Sequence, residues 1–161
     1  MRHAAIFVVA LLAAGCPRGG GDTTPARPAT PPEVLSAARG TIEQWRQAYQ
    51  IKSFDGLAKL YAHEAQLVLV HEGRALIGWA SVEAMIKDRL ARYQKIVVRL
   101  KDINVIALGA TSATATASMT RELGDDVTTV TESGALTMVL RRDAEQWVIV
   151  TEHYSYRKAG H

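Results

Sequence analysis

At 161 residues, 48% of them apolar, the chain has room for one globular domain of ordinary size and a targeting segment. Lys and Arg number 19 against 16 Asp and Glu, a net charge of +3, and the basic residues are scattered instead of lined up in a stripe, which argues against nucleic acid as a partner. Cysteine occurs once, at Cys16, so no intramolecular disulfide forms and nucleophilic thiol chemistry in the folded domain is ruled out.

Met1-Arg2-His3 is a short positive start, and Ala4 to Ala14 is an apolar run. A helix needs ~20 residues to cross the ~30 Å core of a bilayer, so this run is too short to span and reads as a signal peptide over residues 1–15. Leu12-Ala13-Ala14-Gly15-Cys16 resembles a bacterial lipobox, with Ala13 in the place where leucine is preferred. The resemblance implies that Cys16 is lipidated and becomes the new N-terminus. The protein would then sit on the periplasmic face of the cell envelope, held to the membrane through its lipid anchor only. Residues 16–32 are rich in Gly, Pro and Thr and have little to bury, so they read as a tether.

Thr30-Pro31-Pro32-Glu33 has capping-box spacing with proline at the first helical position, which starts a helix. Leu35, Ala38, Ile42, Trp45 and Tyr49 form its apolar stripe. Gly40 weakens it, and a small residue there suits close packing of another element. Ser53 caps a second, shorter helix with Phe54, Leu57, Leu60 and Tyr61 on one face. Gln66 to His71 alternates as a strand, Leu67, Leu69 and His71 sharing a side. After the turn at Glu72-Gly73-Arg74, a third helix over Ser81 to Tyr93 has Val82, Met85, Ile86, Leu90 and Tyr93 inward, and its charged residues, Arg89 among them, assigned to water.

Ile96 to Leu108 reads as a long strand whose phase slips near Asp102, as at a bulge. Ser112 to Arg121 puts Ala113, Ala115, Ala117, Met119 and Arg121 on one face, and the small alanines leave space above it. Gly124-Asp125-Asp126 is a hairpin turn. Val127 to Arg142 follows as a strand interrupted around Ser133-Gly134, and Asp143 to Gln146 turns into the last strand. The fold class is α+β: three N-terminal helices packed on a strongly curved antiparallel sheet.

Gly134 to Ser155, two apolar strands ending in Thr151-Glu152-His153-Tyr154-Ser155, resembles the closing hairpin of the SnoaL-like domains of the nuclear transport factor 2-like superfamily, with their tryptophan-to-histidine-serine ending. The resemblance covers residues 33–157, leaves 158–161 as a tail, and implies a cone-shaped half-barrel with a pocket at its open end. The calcium/calmodulin-dependent protein kinase type II association domain is similar in the same places, at Phe54 and in an Arg-Arg-Asp turn before the closing tryptophan.

Alternation along the last strand sets Trp147, Ile149, Thr151, His153 and Ser155 on one face and Val148, Val150, Glu152 and Tyr154 on the other. The family resemblance makes the tryptophan and histidine face the pocket side, so His153 becomes the candidate polar group of the cavity; the alternative is a core histidine holding the hairpin. Arg121 resembles the arginine that the kinase association domain places in its pocket, where it would clamp a carboxylate, although Met138 stands where that relative has a further arginine. His71, Tyr61 and Tyr49 are further ligand candidates, each equally suited to rim or core packing. The histidines lack metal-ligand spacing, and no phosphate loop or nucleophile elbow occurs, so no metal or cofactor is implied.

Three readings follow. A tethered module holds a small organic acid between Arg121 and His153. An isomerase- or cyclase-type enzyme uses His153 for proton transfer, though without an inward carboxylate there is no convincing catalytic constellation. A structural module makes a homodimer through an outer sheet face carrying Val148, Val150 and Tyr154. The first is preferred.

Overall fold

The computed structural model describes residues 29–158. The signal peptide, Cys16 and the tether as far as residue 28 lie outside the described residues, as does the tail from 159. The elements are α1 (Pro31–Gln50), α2 (Phe54–Ala58), β1 (Val68–His71), β2 (Arg74–Ile77), α3 (Trp79–Arg92), β3 (Lys95–Ala107), β4 (Ser112–Gly124), β5 (Thr129–Asp143) and β6 (Gln146–Lys158). Thr30 N donates to Glu33 Oε2 at 2.7 Å at the head of α1, and Gly56 N donates to Ser53 Oγ at 3.0 Å at the head of α2, so both caps read from the sequence form.

The six strands form one unclosed sheet in the order β2-β1-β6-β5-β4-β3. Its pairings are antiparallel except that of β1 with β6, which is parallel and bends the α+β plan of tight hairpins only at that seam. The short segment ending at Gly78 is a strand, β2, on the sheet's edge. The helices cover one face. Val34, Ala38, Ile42, Trp45 and Tyr49 of α1 are buried against it, and Ile42 of α1 faces Ala115, Ala117, Leu136 and Met138 across a crevice too narrow to hold water. The alanines therefore admit a helix close to the sheet instead of hollowing a cavity. Gly40 has nothing within 4 Å of where a Cβ would stand, so it does not serve close packing.

Gly134 does. A Cβ there would lie 1.9 Å from Ser155 O, so glycine lets the backbones of β5 and β6 approach, and β5 runs on without the interruption expected at Ser133-Gly134. The slip near Asp102 is present: the β3 register shifts between Lys101 and Asn104, and Asp102 has φ +53. Inward residues change there from Ile96 and Val98 to Val105.

A second bulge decides the site. In the β5–β6 ladder Leu140 pairs with Ile149 and Val139 with Thr151, so Val150 is the extra residue. Ile149 faces inward, and after the bulge the inward set is Glu152 and Tyr154, both buried, whereas His153 and Ser155 are exposed on the outer face. This corrects the alternation read from the sequence, which carried His153 inward and Glu152 and Tyr154 outward. The outer face of the sheet consequently lacks Tyr154 and carries Thr116, Ser118, His153 and Ser155.

Candidate functional site

At the open end of the sheet a cavity of about 370 Å³ is lined by Leu76, Met85, Tyr93 and Leu123, by His71, by the carboxylates Glu72, Asp88 and Glu132, and by the arginines Arg74, Arg89, Arg92 and Arg121. Its floor is built from three elements. β1 ends on His71, α3 supplies Arg89 one turn past Ile86, and β4 supplies Arg121 in its inward row, one position before Leu123 on that face. Arg89 and Arg121 are 7% and 2% exposed.

Arg121 Nε and Nη2 donate to Glu132 Oε2 at 2.9 and 2.6 Å, a buried ion pair between cross-strand partners of β4 and β5. Its guanidinium also lies 4.8 Å from the ring centroid of Tyr154 and 5.9 Å from that of Tyr156. Arg89 Nη2 and Arg121 Nη2 both reach His71 Nε2, at 3.1 and 2.8 Å. A guanidinium only donates, so Nε2 is the acceptor and the proton of the neutral ring sits on Nδ1. Arg89 Nη1 is 3.4 Å from the Tyr49 hydroxyl. Among the described residues Arg89 has no carboxylate within ion-pair distance, whereas Arg121 has Glu132 and Arg92 has Asp88 at 2.8 Å.

Beneath the floor lies a second layer. Trp45 Nε1 donates to the Tyr61 hydroxyl at 2.8 Å, and that hydroxyl donates to Glu152 Oε2 at 2.5 Å. Burial pushes the Glu152 carboxyl above its ordinary proton affinity; the Tyr61 hydrogen bond and the fields of Arg89 and Arg121 oppose the rise without cancelling it. Burial and the nearby Glu152 drive Tyr61 well above the usual phenol range, so it stays a donor. Tyr154, pushed up to about 12 mainly by burial, keeps its proton too, and its hydroxyl is sealed without a hydrogen-bond partner among the described residues.

Of the residues singled out in the sequence, Tyr49, Tyr61, His71 and Arg121 converge on this site and its underlayer. His153 does not: it lies on the outer face, lining an open groove with Glu72, Gly73 and Ser155. Arg121 is inward as expected, but its charge is already matched by Glu132. Arg89, Glu132 and Glu152 were not singled out. Arg89 could have been found, because it falls three residues after Ile86 and seven after Val82, on the apolar stripe of α3 where a solvated arginine has no place. No group of three or more His, Cys, Asp or Glu among the described residues is arranged to hold a metal ion.

Solved structures with the same fold include a provisionally named aromatic ring hydroxylase from Novosphingobium aromaticivorans, 17% identical over 82% of this chain and 96% of that one, with a TM-score of 0.73. A provisionally named dehydratase of the NTF2-like family from Streptomyces avermitilis is 22% identical over 80% and 99% of the two chains, with a TM-score of 0.71. A calcium/calmodulin-dependent protein kinase type II association domain from Thiobacillus denitrificans, also provisionally named, is 19% identical over 81% and 99%, with a TM-score of 0.62. These likenesses show a shared fold. No curated protein matches in sequence. The sequence profile of the SnoaL-like domain matches residues 39–158, most of the chain and all of the site, and the chain belongs to that family.

Proposed function

We propose that this domain is a receptor for a small organic acid, whose carboxylate seats on Arg89 at the floor of the cavity while its apolar body lies against Leu76, Met85, Tyr93 and Leu123. Arg89 carries the proposal. It is a buried cation with no carboxylate in contact, Glu152 acting on it only through space, and burying a charge without a contact partner costs several kcal/mol that an anionic ligand would offset. Arg121 is assigned the role of orienting His71 and closing the floor, because Glu132 already occupies it.

Titration calorimetry with benzoate, a flat carboxylate that the cavity can hold, tests this. Binding by wild type and a loss of at least about tenfold in Arg89→Met, equivalent to ~1.4 kcal/mol, is the expected result. Equal affinity in both proteins removes the anion site.

Catalysis by His153 finds no support, since that ring faces away from the cavity. We propose a membrane setting for the domain as well. Lipidation at Cys16 would hold it on the periplasmic face of a membrane, and Cys16→Ser should release it to the soluble fraction. A homodimer would use the outer sheet face around Thr116, Ser118 and Ser155, and light scattering of His153→Asp against wild type reads whether that face pairs two copies.

A further inference from the structure

The carboxyl group beneath the cavity floor is absent from the binding step just described. Glu152 is 3% exposed, ninety-one residues from its hydrogen-bond donor Tyr61 in sequence, and is held from below by the Trp45–Tyr61 pair. The charged and titratable groups around it are Tyr49 of α1, Tyr61 after α2, Arg89 of α3 and Arg121 of β4, with His71 of β1 bonded to both arginines and Met138 of β5 the cross-strand neighbour of Glu152.

Neither arginine touches Glu152. The Nη atoms of Arg89 go to Tyr49 and His71, and the donors of Arg121 go to Glu132 and His71. Their attraction for the carboxylate therefore acts through space, across an interior where a charge is felt strongly. Any negative charge placed on Arg89 offsets that attraction, while the burial that favours the neutral carboxyl stays unchanged.

We propose that an anion seated on Arg89 brings with it a proton onto Glu152, so that the cavity takes up anion and proton together. This rests on the anion site proposed above. The balance is simple: one anion and one proton leave the solvent, no covalent bond to the ligand forms, and the net charge of the loaded site equals that of the free one. By linkage, a site that gains a proton on binding must bind more tightly as the pH falls, over the interval in which Glu152 is ionised in the free protein and neutral in the loaded one.

The experiment is calorimetric titration of the full domain with benzoate, in buffers of different ionisation enthalpy, at pH values where benzoate is fully ionised. Wild type is expected to take up a fraction of a proton per benzoate that passes through a maximum as pH is varied, with an affinity that strengthens by up to about tenfold per pH unit. Glu152→Gln is expected to bind benzoate without proton uptake and with a flat pH dependence. Binding without uptake in wild type overturns this inference and leaves the anion site standing. Uptake of the same size in Glu152→Gln overturns it too, placing the proton on another group such as His71. Absence of benzoate binding by wild type removes the anion site and this inference together. Should Glu152→Gln not fold, infrared difference spectra of wild type with 13C-carboxyl benzoate give a second measurement. A new protonated-carboxyl band from the protein supports the inference, and no such band overturns it.

Discussion

The Tyr61 hydroxyl donates to Glu152 Oε2 at 2.5 Å and accepts from Trp45 Nε1 at 2.8 Å, so one phenol fastens α1 to the closing strand of the sheet. Tyr61→Phe strips a buried carboxyl of its donor and a buried indole of its acceptor. The expected cost is ~1–3 kcal/mol in a denaturant titration. Tyr156→Phe, whose hydroxyl meets Glu72 at the rim, should cost less.

Stability should depend on pH through Glu152. Its proton affinity is raised in the folded protein, chiefly by burial, so the folded state binds more protons than the unfolded one between the ordinary carboxylate range and the raised value. Wild-type stability is therefore expected to fall as pH rises through that window and to recover on acidification. Glu152→Gln should lose this slope; thermal melts of both proteins across the window show whether it does.

The pair of Arg121 and Glu132 is 2% and 3% exposed. Glu132→Ala leaves a guanidinium buried without its counter-charge, at an expected cost of ~3–5 kcal/mol, whereas the double change Arg121→Met with Glu132→Leu should recover most of the loss. Chemical denaturation of the two variants checks it. A single variant no less stable than the double one would mean that Tyr154, Tyr156 and His71 carry the guanidinium unaided.

Two glycines should respond in opposite ways to alanine. At Gly134 the added methyl would stand 1.9 Å from Ser155 O, a backbone atom that cannot swing aside, so Gly134→Ala should unfold the β5–β6 hairpin or leave the protein insoluble. Gly40→Ala meets nothing within 4 Å in the middle of α1 and should raise stability by ~1 kcal/mol. Melting temperatures of the pair decide it.

The same kind of irregularity occurs in two strands, yet only one of them was legible. Before Asp102, Arg99 and Lys101 alternate with Val98 and Leu100, and Asp102 directly after Lys101 breaks that phase, so the slip that moves the inward positions from Val98 to Val105 shows in the letters themselves. At Trp147-Val148-Ile149-Val150 every residue is apolar, and a run without alternation has no phase to lose. The extra residue at Val150 was therefore invisible, and each inward or outward assignment beyond it came out inverted. Helix order, both caps and the inward Arg121 were readable because local chemistry dictates them. Arg89 was misread for another reason: its charge outweighed its position on the stripe, and only the facing His71 and Tyr49 show why an arginine is tolerated there.

Val150 also has a bearing on how homologous chains should be matched. Losing or gaining a single residue at that point would rotate the rest of the strand by half a turn, exchanging an acidic and phenolic lining for one of imidazole and hydroxymethyl without changing any letter downstream. Chains that agree along their final ten positions can thus present opposite side chains to whatever they bind. For such a family, shared identity in those columns says less about common chemistry than the count of residues between the tryptophan and the histidine.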